Sequence, residues 1–201
     1  MNFKHITKLL PKLTQPCETP DSKDHLKASA VLLILHLVDN HWHLLFTKRA
    51  EHLKHHAGQI SFPGGRYEDH DTDLIDTAIR ETEEEIGIIK QIPSVISQLE
   101  NHPTITGYRI YPFVALIEML PDLIIDKGEV ADIFSVPLVY LMNKANQQLE
   151  AVTYNNVNYD VHKIIWQDKV IWGATARMVV NLSNYISADE LPPLDPSNVD
   201  E

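Results

Sequence analysis

The stretch Arg80-Glu81-Thr82-Glu83-Glu84-Glu85-Ile86-Gly87 is the most informative part of this 201-residue chain. Within this stretch and just before it, residues occur at the spacing of one helix face: Leu74, Ile75, Ala78, Ile79, Thr82 and Ile86. That spacing predicts a helix over roughly Asp73–Ile86. Thr72 or Asp73 is a suitable N-cap, and Gly87 stands where a helix C-cap belongs. The acidic run therefore occupies the last turns of a helix.

Three of the four glutamates share one face of this helix. Glu81, Glu84 and Glu85 stand at i, i+3 and i+4, whereas Glu83 falls outside that face. Like charges at this spacing repel by ~0.2–0.5 kcal/mol per pair, and carboxylates at a helix C-terminus oppose the helix dipole. A cation bound there would offset both costs, and carboxylate oxygens suit Mg²⁺ or Mn²⁺. The alternative is an acidic face in water, which is the commoner meaning of a bare charge run.

The context of the run is more specific than the run itself, because the helix follows the loop Pro63-Gly64-Gly65. The segment resembles the Nudix box, the loop–helix–loop motif of the Nudix hydrolases. That pattern is Gly, five residues, Glu, seven residues, Arg-Glu, an aliphatic residue, one residue, Glu-Glu, one residue, Gly and an aliphatic residue. The second half matches over Arg80–Ile88, apart from Thr82 at the aliphatic position.

The first half of the motif departs from the family pattern. Counting back from Arg80, Arg66 occupies the glycine position and Thr72 the glutamate position. One inserted residue before the helix restores the glycine and leaves Asp71 or Asp73 to replace the glutamate.

The resemblance implies an α/β (α+β) fold, with a Nudix-like mixed β-sheet sandwiched between helices. It implies metal binding by Glu81, Glu84 and Glu85, with Glu84 or Glu85 also a candidate general base and Mg²⁺ or Mn²⁺ as the cofactor. Arg80 could orient one of these glutamates through a bidentate salt bridge. Glu129 lies in a predicted turn that could swing over the site. Two interpretations of it are equally supported: an extra metal ligand or base, or a residue of a surface turn.

A second match lies upstream of the box. The residues Leu45-Phe46-Thr47-Lys48-Arg49-Ala50, Lys54, Gly58 and Phe62-Pro63-Gly64-Gly65 are similar to the signature of the coenzyme A diphosphatase branch. All spacings of that signature are kept, with Phe46, Ala50 and Lys54 as substitutions. Thr106-Gly107-Tyr108 with Pro112, and Trp172-Gly173-x-Thr175-Ala176, also look like this branch.

The upstream match contains cationic side chains and glycines that can be interpreted apart from the resemblance. Arg49 and Lys54 place cations before a glycine loop, as phosphate binding requires, although ordinary surface charge explains them as well. Gly64 and Gly65 allow a backbone to approach a ligand closely. The neighbouring His52, His55 and His56 are interpreted as exposed loop residues, not metal ligands. Tyr108 and Trp172 are expected in the core, not as platforms for base stacking.

Composition limits the class of protein. With 44% hydrophobic and 22% charged residues, the chain resembles an ordinary globular domain, and its longest apolar run, Ala28–Val38, is too short to span a bilayer. The formal net charge of −11 argues against nucleic acid as a partner but not against a metal-bridged phosphate ligand. The single cysteine, Cys17, favours a reducing, cytoplasmic location.

We expect three segments: an N-terminal helix and linker over 1–27, a Nudix hydrolase domain over 28–188 and a polar, poorly ordered tail over 189–201. The expected activity is metal-dependent hydrolysis of coenzyme A or its thioesters to 4′-phosphopantetheine and adenosine 3′,5′-bisphosphate. The alternative is a pyrophosphatase acting on ADP-ribose, a dinucleotide or a nucleoside triphosphate. A non-catalytic binding module is disfavoured because the three box glutamates are present. The ligand is thus a small nucleoside diphosphate derivative, and the sequence leaves a homodimer open.

Overall fold

A mixed eight-stranded sheet forms the centre of the computed structural model, which describes residues 3–13, 19–20, 24–154 and 157–193. The elements in chain order are α1 (Phe3–Leu9), β1 (Lys27–Val38), β2 (His41–Arg49), β3 (Ile60–Ser61), β4 (Gly64–Arg66), α2 (Leu74–Ile86), β5 (Ser94–Gln98), β6 (His102–Pro103), β7 (Tyr108–Ile117), β8 (Val130–Pro137), α3 (Leu138–Met142), β9 (Gln148–Tyr154), β10 (Val157–Trp166), β11 (Lys169–Trp172) and α4 (Gly173–Leu182). Short 3₁₀ helices cover Lys144–Asn146 and Ala188–Glu190.

The first hairpin is set by its two turn residues. Asp39 and Asn40 connect β1 to β2 with φ angles of 47° and 63°. Two consecutive positive φ angles give a turn whose twist matches that of the strands, and Asp and Asn tolerate this conformation better than most residues. The turn sets the register Val38↔His41.

The large sheet runs β3-β2-β1-β7-β5, with β4 paired to β1, β6 to β7 and β8 to β2. The β1–β7 pair is parallel, which makes the sheet mixed. A separate antiparallel sheet runs β11-β10-β9.

Alternate residues of β1 face two hydrophobic cores on opposite sides of the large sheet. Leu33 and Leu35 face the core that includes residues of α1, α3 and α4. Leu32 and Ile34 face the core beneath α2. Because successive side chains of a strand point to opposite faces, one strand serves both layers. The predicted mixed sheet between helices is confirmed.

The ends of the chain contribute to the first of these cores. Ile6 of α1 is fully buried there, and the Ser97 hydroxyl donates a 2.7 Å hydrogen bond to the carbonyl of Pro11. Leu191 is also buried in it. The prediction that the tail is poorly ordered from Asp189 onward is therefore wrong for its first residues. Residues 194–201, like Cys17, lie outside the described part.

None of the helices in the described ranges is long and apolar enough to cross a membrane.

Candidate active site

Helix α2 carries the acidic run, and its two ends are fixed as the sequence predicts. The Asp73 side chain accepts a 2.8 Å hydrogen bond from the Asp76 N–H, which caps the N-terminus. Gly87 ends the helix in the left-handed conformation, at φ 76°. The buried face of α2 packs on β1 and β4. This packing sets the helix against the glycine loop.

Gly64 is the first contact between the loop and the carboxylates. Its N–H donates to Oε2 of Glu85 at 3.3 Å. Its φ is +145°, and a Cβ there would lie 2.3 Å from the carbonyl oxygen of Ala30 and 2.6 Å from the Cα of Val31. Only glycine fits this position, because both obstacles are backbone atoms of β1.

Gly65 is the second contact, and it touches a different glutamate. A Cβ at Gly65 would lie 2.3 Å from Cδ of Glu81 and 2.4 Å from its Oε2. The absent side chain therefore leaves the space that the Glu81 carboxylate occupies. The structure thus brings together four residues that the sequence assigned to metal and substrate binding: Gly64, Gly65, Glu81 and Glu85.

The electrostatics of these carboxylates are unfavourable without a cation. Glu85 is 3% exposed, and burial raises its pKa to about 8. The Gly64 N–H and the Arg49 guanidinium, 3.7 Å from Oε1 of Glu85, oppose the rise, while the charges of Glu81 and Glu129 add to it. Burial also raises the pKa of Glu81, despite its bond to Arg80. Burial therefore disfavours the charged form of both carboxylates.

Arg80 has a different principal partner from the one predicted. Its bidentate salt bridge is with Asp71, at 2.7 Å from Nε to Oδ1 and 3.0 Å from Nη2 to Oδ2, and not with a glutamate. It contacts Glu81 at 2.9 Å and Glu84 at 3.2 Å through single bonds from Nη1. Asp71 precedes the helix and presents both carboxylate oxygens to the guanidinium, whereas Glu81 and Glu84 each contact it through one oxygen.

Asp71 is the acidic residue that the sequence left uncertain between two candidates. Its side chain is fully buried and accepts 2.9 Å hydrogen bonds from the Glu68 N–H and the Thr77 hydroxyl. Burial acts to raise the pKa of Asp71, but these bonds and those of Arg80 outweigh it and lower the pKa to about 2. Asp73 is occupied as the N-cap. Asp71 therefore anchors Arg80, and Arg80 in turn holds Glu81 and Glu84.

The remaining predicted residues lie around this centre. The Glu84 side chain is 60% exposed and reaches Arg80. Glu129 is held by its carbonyl, which accepts a 2.8 Å bond from the Ala50 N–H, and its charge acts on Glu81 and Glu85. Lys54 is exposed, and within the described residues it makes no ion pair. The roles assigned to these three side chains stay predictions.

A hydrogen-bonded segment brings Glu129 to the end of α2. The N–H groups of Ile124 and Asp126 donate to the carbonyls of Ile86 and Glu85, at 3.1 Å and 3.0 Å. These carbonyls have no partner inside the helix, so the segment satisfies them. No local sequence pattern indicates this pairing, which joins residues about 40 positions apart.

The donor chemistry fits a divalent ion. Glu81 and Glu85 offer hard oxygen donors whose charged forms are disfavoured by burial, and Glu84, one helical turn after Glu81, lies on the solvent side. In the described ranges, no three Asp, Glu, His or Cys side chains are already gathered closely enough to form a metal site. Binding by all three glutamates would therefore require Glu84 to turn from Arg80. His52, His55 and His56 are exposed, as expected.

Comparison with known proteins gives the family. Residues 26–154 match the NUDIX domain. Proteins named "Uncharacterized Nudix hydrolase NudL" from Yersinia pestis and Yersinia pseudotuberculosis are 33% identical over 144 residues, covering 72% of this chain and 72% of theirs. The crystal structure of a MutT/nudix family protein from Enterococcus faecalis superposes with a TM-score of 0.51 and 14% identity, covering 83% of this chain and 64% of that one. The protein thus belongs to the Nudix hydrolase family and is a hydrolase of pyrophosphate bonds.

Proposed function

We propose that the protein cleaves the diphosphate bond of coenzyme A or its thioesters, releasing 4′-phosphopantetheine and adenosine 3′,5′-bisphosphate. The observation that carries this proposal is the packing of Gly64 and Gly65 on Glu85 and Glu81. It joins the upstream segment, which resembles the coenzyme A diphosphatase branch, to the carboxylates of the box. Arg49 belongs to that segment and lies 3.7 Å from Glu85.

The proposed cofactor is Mg²⁺ or Mn²⁺, held by Glu81, Glu84 and Glu85. When bound, such an ion neutralises diphosphate charge and lowers the pKa of a water. Arg49 and Lys54 are proposed to contact phosphate oxygens, and the Gly64 N–H fixes the orientation of Glu85. Arg80, anchored by Asp71, holds the carboxylates of Glu81 and Glu84 in position.

The bond-breaking step is an in-line displacement at phosphorus. The oxygen of water forms a bond to one phosphorus, the bridging P–O bond breaks, and the second phosphate leaves with the bridging oxygen. A carboxylate accepts the proton of the water, and Glu84, Glu85 and Glu129 are the candidates for that base. We further propose that the enzyme acts in the cytoplasm.

A substrate panel tests this proposal. Initial rates are measured with Mg²⁺ and with Mn²⁺ on coenzyme A, acetyl-coenzyme A, ADP-ribose and NADH, and the products are identified by mass spectrometry. We expect the highest kcat/KM on coenzyme A or its thioester, with 4′-phosphopantetheine as a product. Higher kcat/KM on ADP-ribose or NADH would favour the alternative, a pyrophosphatase with the same machinery.

A further inference from the structure

A groove of about 400 Å³ lies beside the end of β2. Its walls are the segment Ala57–Ile60, the segment Asp168–Val170, the side chain of Lys48 and the indole of Trp172. The sequence placed Trp172 in the core, which is wrong, because the residue is 45% exposed. Val170 beside it is 43% exposed. An indole and a branched aliphatic side chain thus give the groove an uncovered apolar wall.

The cations of the groove already have partners. Lys48 makes a 2.9 Å salt bridge with Glu51, and Lys169 makes salt bridges with Asp132 at 3.0 Å and Asp168 at 3.6 Å. Both ammonium groups therefore already pair with carboxylates. A phosphate or carboxylate entering the groove would have to displace these partners, whereas a neutral ligand would not.

The groove is coupled to the active site through two consecutive residues of β2. Lys48 lines the groove, and the next residue, Arg49, lies 3.7 Å from Oε1 of Glu85. The N–H of Arg49 donates a 2.9 Å hydrogen bond to the carbonyl of Gln59, in the groove wall. The Thr175 hydroxyl donates to the Ile60 carbonyl at 3.0 Å, which ties α4 to the same wall. The groove therefore adjoins the residue that pairs with Glu85.

We propose that this groove binds the neutral, amide-bearing arm of the diphosphate substrate, which in coenzyme A is the pantetheine chain. Its methyl and methylene groups pack on Trp172 and Val170, and its amides bond the polar wall at Gln59. The inference rests on the proposed function, since it assigns the part of the substrate beyond the diphosphate. It separates coenzyme A from ADP-ribose, which has no such arm.

Kinetics of Trp172→Ala test the assignment with full-length protein. We expect the KM for coenzyme A to rise about tenfold, as for the loss of one aromatic contact, while kcat and both constants for ADP-ribose stay unchanged. Trp172→Phe should restore most of the affinity. The matched control is Tyr159→Ala, which removes another aromatic side chain from the exposed face of β10, outside the groove. A KM for coenzyme A that stays within twofold of wild type would overturn the proposal. A KM that rises equally for both substrates would also overturn it, since the groove would then take the shared adenosine.

A binding measurement separates this inference from the proposed function. Trp42 and Trp166 are 2% and 7% exposed, so the fluorescence change on adding D-pantetheine should arise at Trp172 and disappear in Trp172→Phe. Pantetheine binding by a protein that does not cleave coenzyme A would support the groove and reject the substrate. Cleavage of coenzyme A without any pantetheine-dependent change at Trp172 would reject the groove alone.

Discussion

Replacing Gly65 by alanine should separate catalysis from folding. The φ of Gly65 is not positive, so the backbone accepts alanine. The new Cβ would lie 2.3 Å from Cδ of Glu81, and ordinary van der Waals contact begins at 3.4 Å. The Glu81 carboxylate must therefore retreat by about 1 Å. Because Glu81 ends in a flexible side chain that can move, the fold should survive.

We expect Gly65→Ala to lower the turnover rate and to leave the stability of the fold almost unchanged. A displacement of about 1 Å in a group that positions the reaction lowers rates by roughly 100-fold. We expect Gly65→Ala to lose about that factor in kcat on coenzyme A at saturating Mg²⁺, while its thermal midpoint stays within a few degrees of wild type. The assay is the initial rate of 4′-phosphopantetheine release, with thermal unfolding followed by circular dichroism on the same preparation.

Gly64→Ala is the matched contrast. Its Cβ would meet backbone atoms of Ala30 and Val31 at 2.3 Å and 2.6 Å, in a positive-φ conformation. Strain and overpacking together should cost about 3 kcal/mol or more of stability. The reasoning would be refuted by a Gly65→Ala enzyme within threefold of wild-type kcat. It would equally fail if the two variants lost the same stability.

Two further predictions concern buried titratable groups. Asp71→Asn should lose about 2 kcal/mol of unfolding free energy at pH 7, since the folded pKa of Asp71, about 2, lies below the ordinary 3.8. In the wild-type protein, this contribution of Asp71 is present above pH 4 and is lost as the pH falls toward 2. Urea unfolding measures it, and exposed Asp69→Asn should change little. The pKa of His36 is lowered to about 4, first by burial and then by the charge of His43. Because unfolded histidine binds protons that folded His36 does not, stability should fall by up to about 3 kcal/mol from pH 6.5 to 4. His36→Gln should reduce that dependence relative to exposed His70→Gln, and equal slopes would reject the explanation.

The parts of the fold that the sequence predicts are those set by local chemistry. The turn at Asp39-Asn40, the caps at Asp73 and Gly87 and the periodicity of α2 all depend on neighbouring residues. Strand β4 was not predicted, because Gly64 and Gly65 lack the side chains that mark a strand. Its pairing with Ser29–Val31 depends on residues more than 30 positions away.

The candidate site likewise contains residues that local patterns predict and contacts that only the tertiary fold determines. Helical spacing placed Glu81, Glu84 and Glu85 near one another, and the resemblance supplied Gly64 and Gly65. The bidentate pairing of Arg80 with Asp71 is tertiary, so helical spacing predicted a glutamate of α2 as its partner instead. Spacing also left the first acidic position of the box open between Asp71 and Asp73. The exposure of Trp172 depends on how the β9–β11 sheet meets the segment before β3, and no local pattern carries that information.

The most direct test of the central claim is the rate of coenzyme A cleavage by Glu85→Gln with Mg²⁺. Glutamine keeps the size of the side chain and an oxygen for the Gly64 N–H, so the fold should be retained. We predict a loss of more than about 100-fold in kcat, because an anionic ligand or base is removed. The control is Glu83→Gln, the same change at an exposed position of α2, which should keep wild-type turnover. Wild-type turnover in Glu85→Gln would contradict the account.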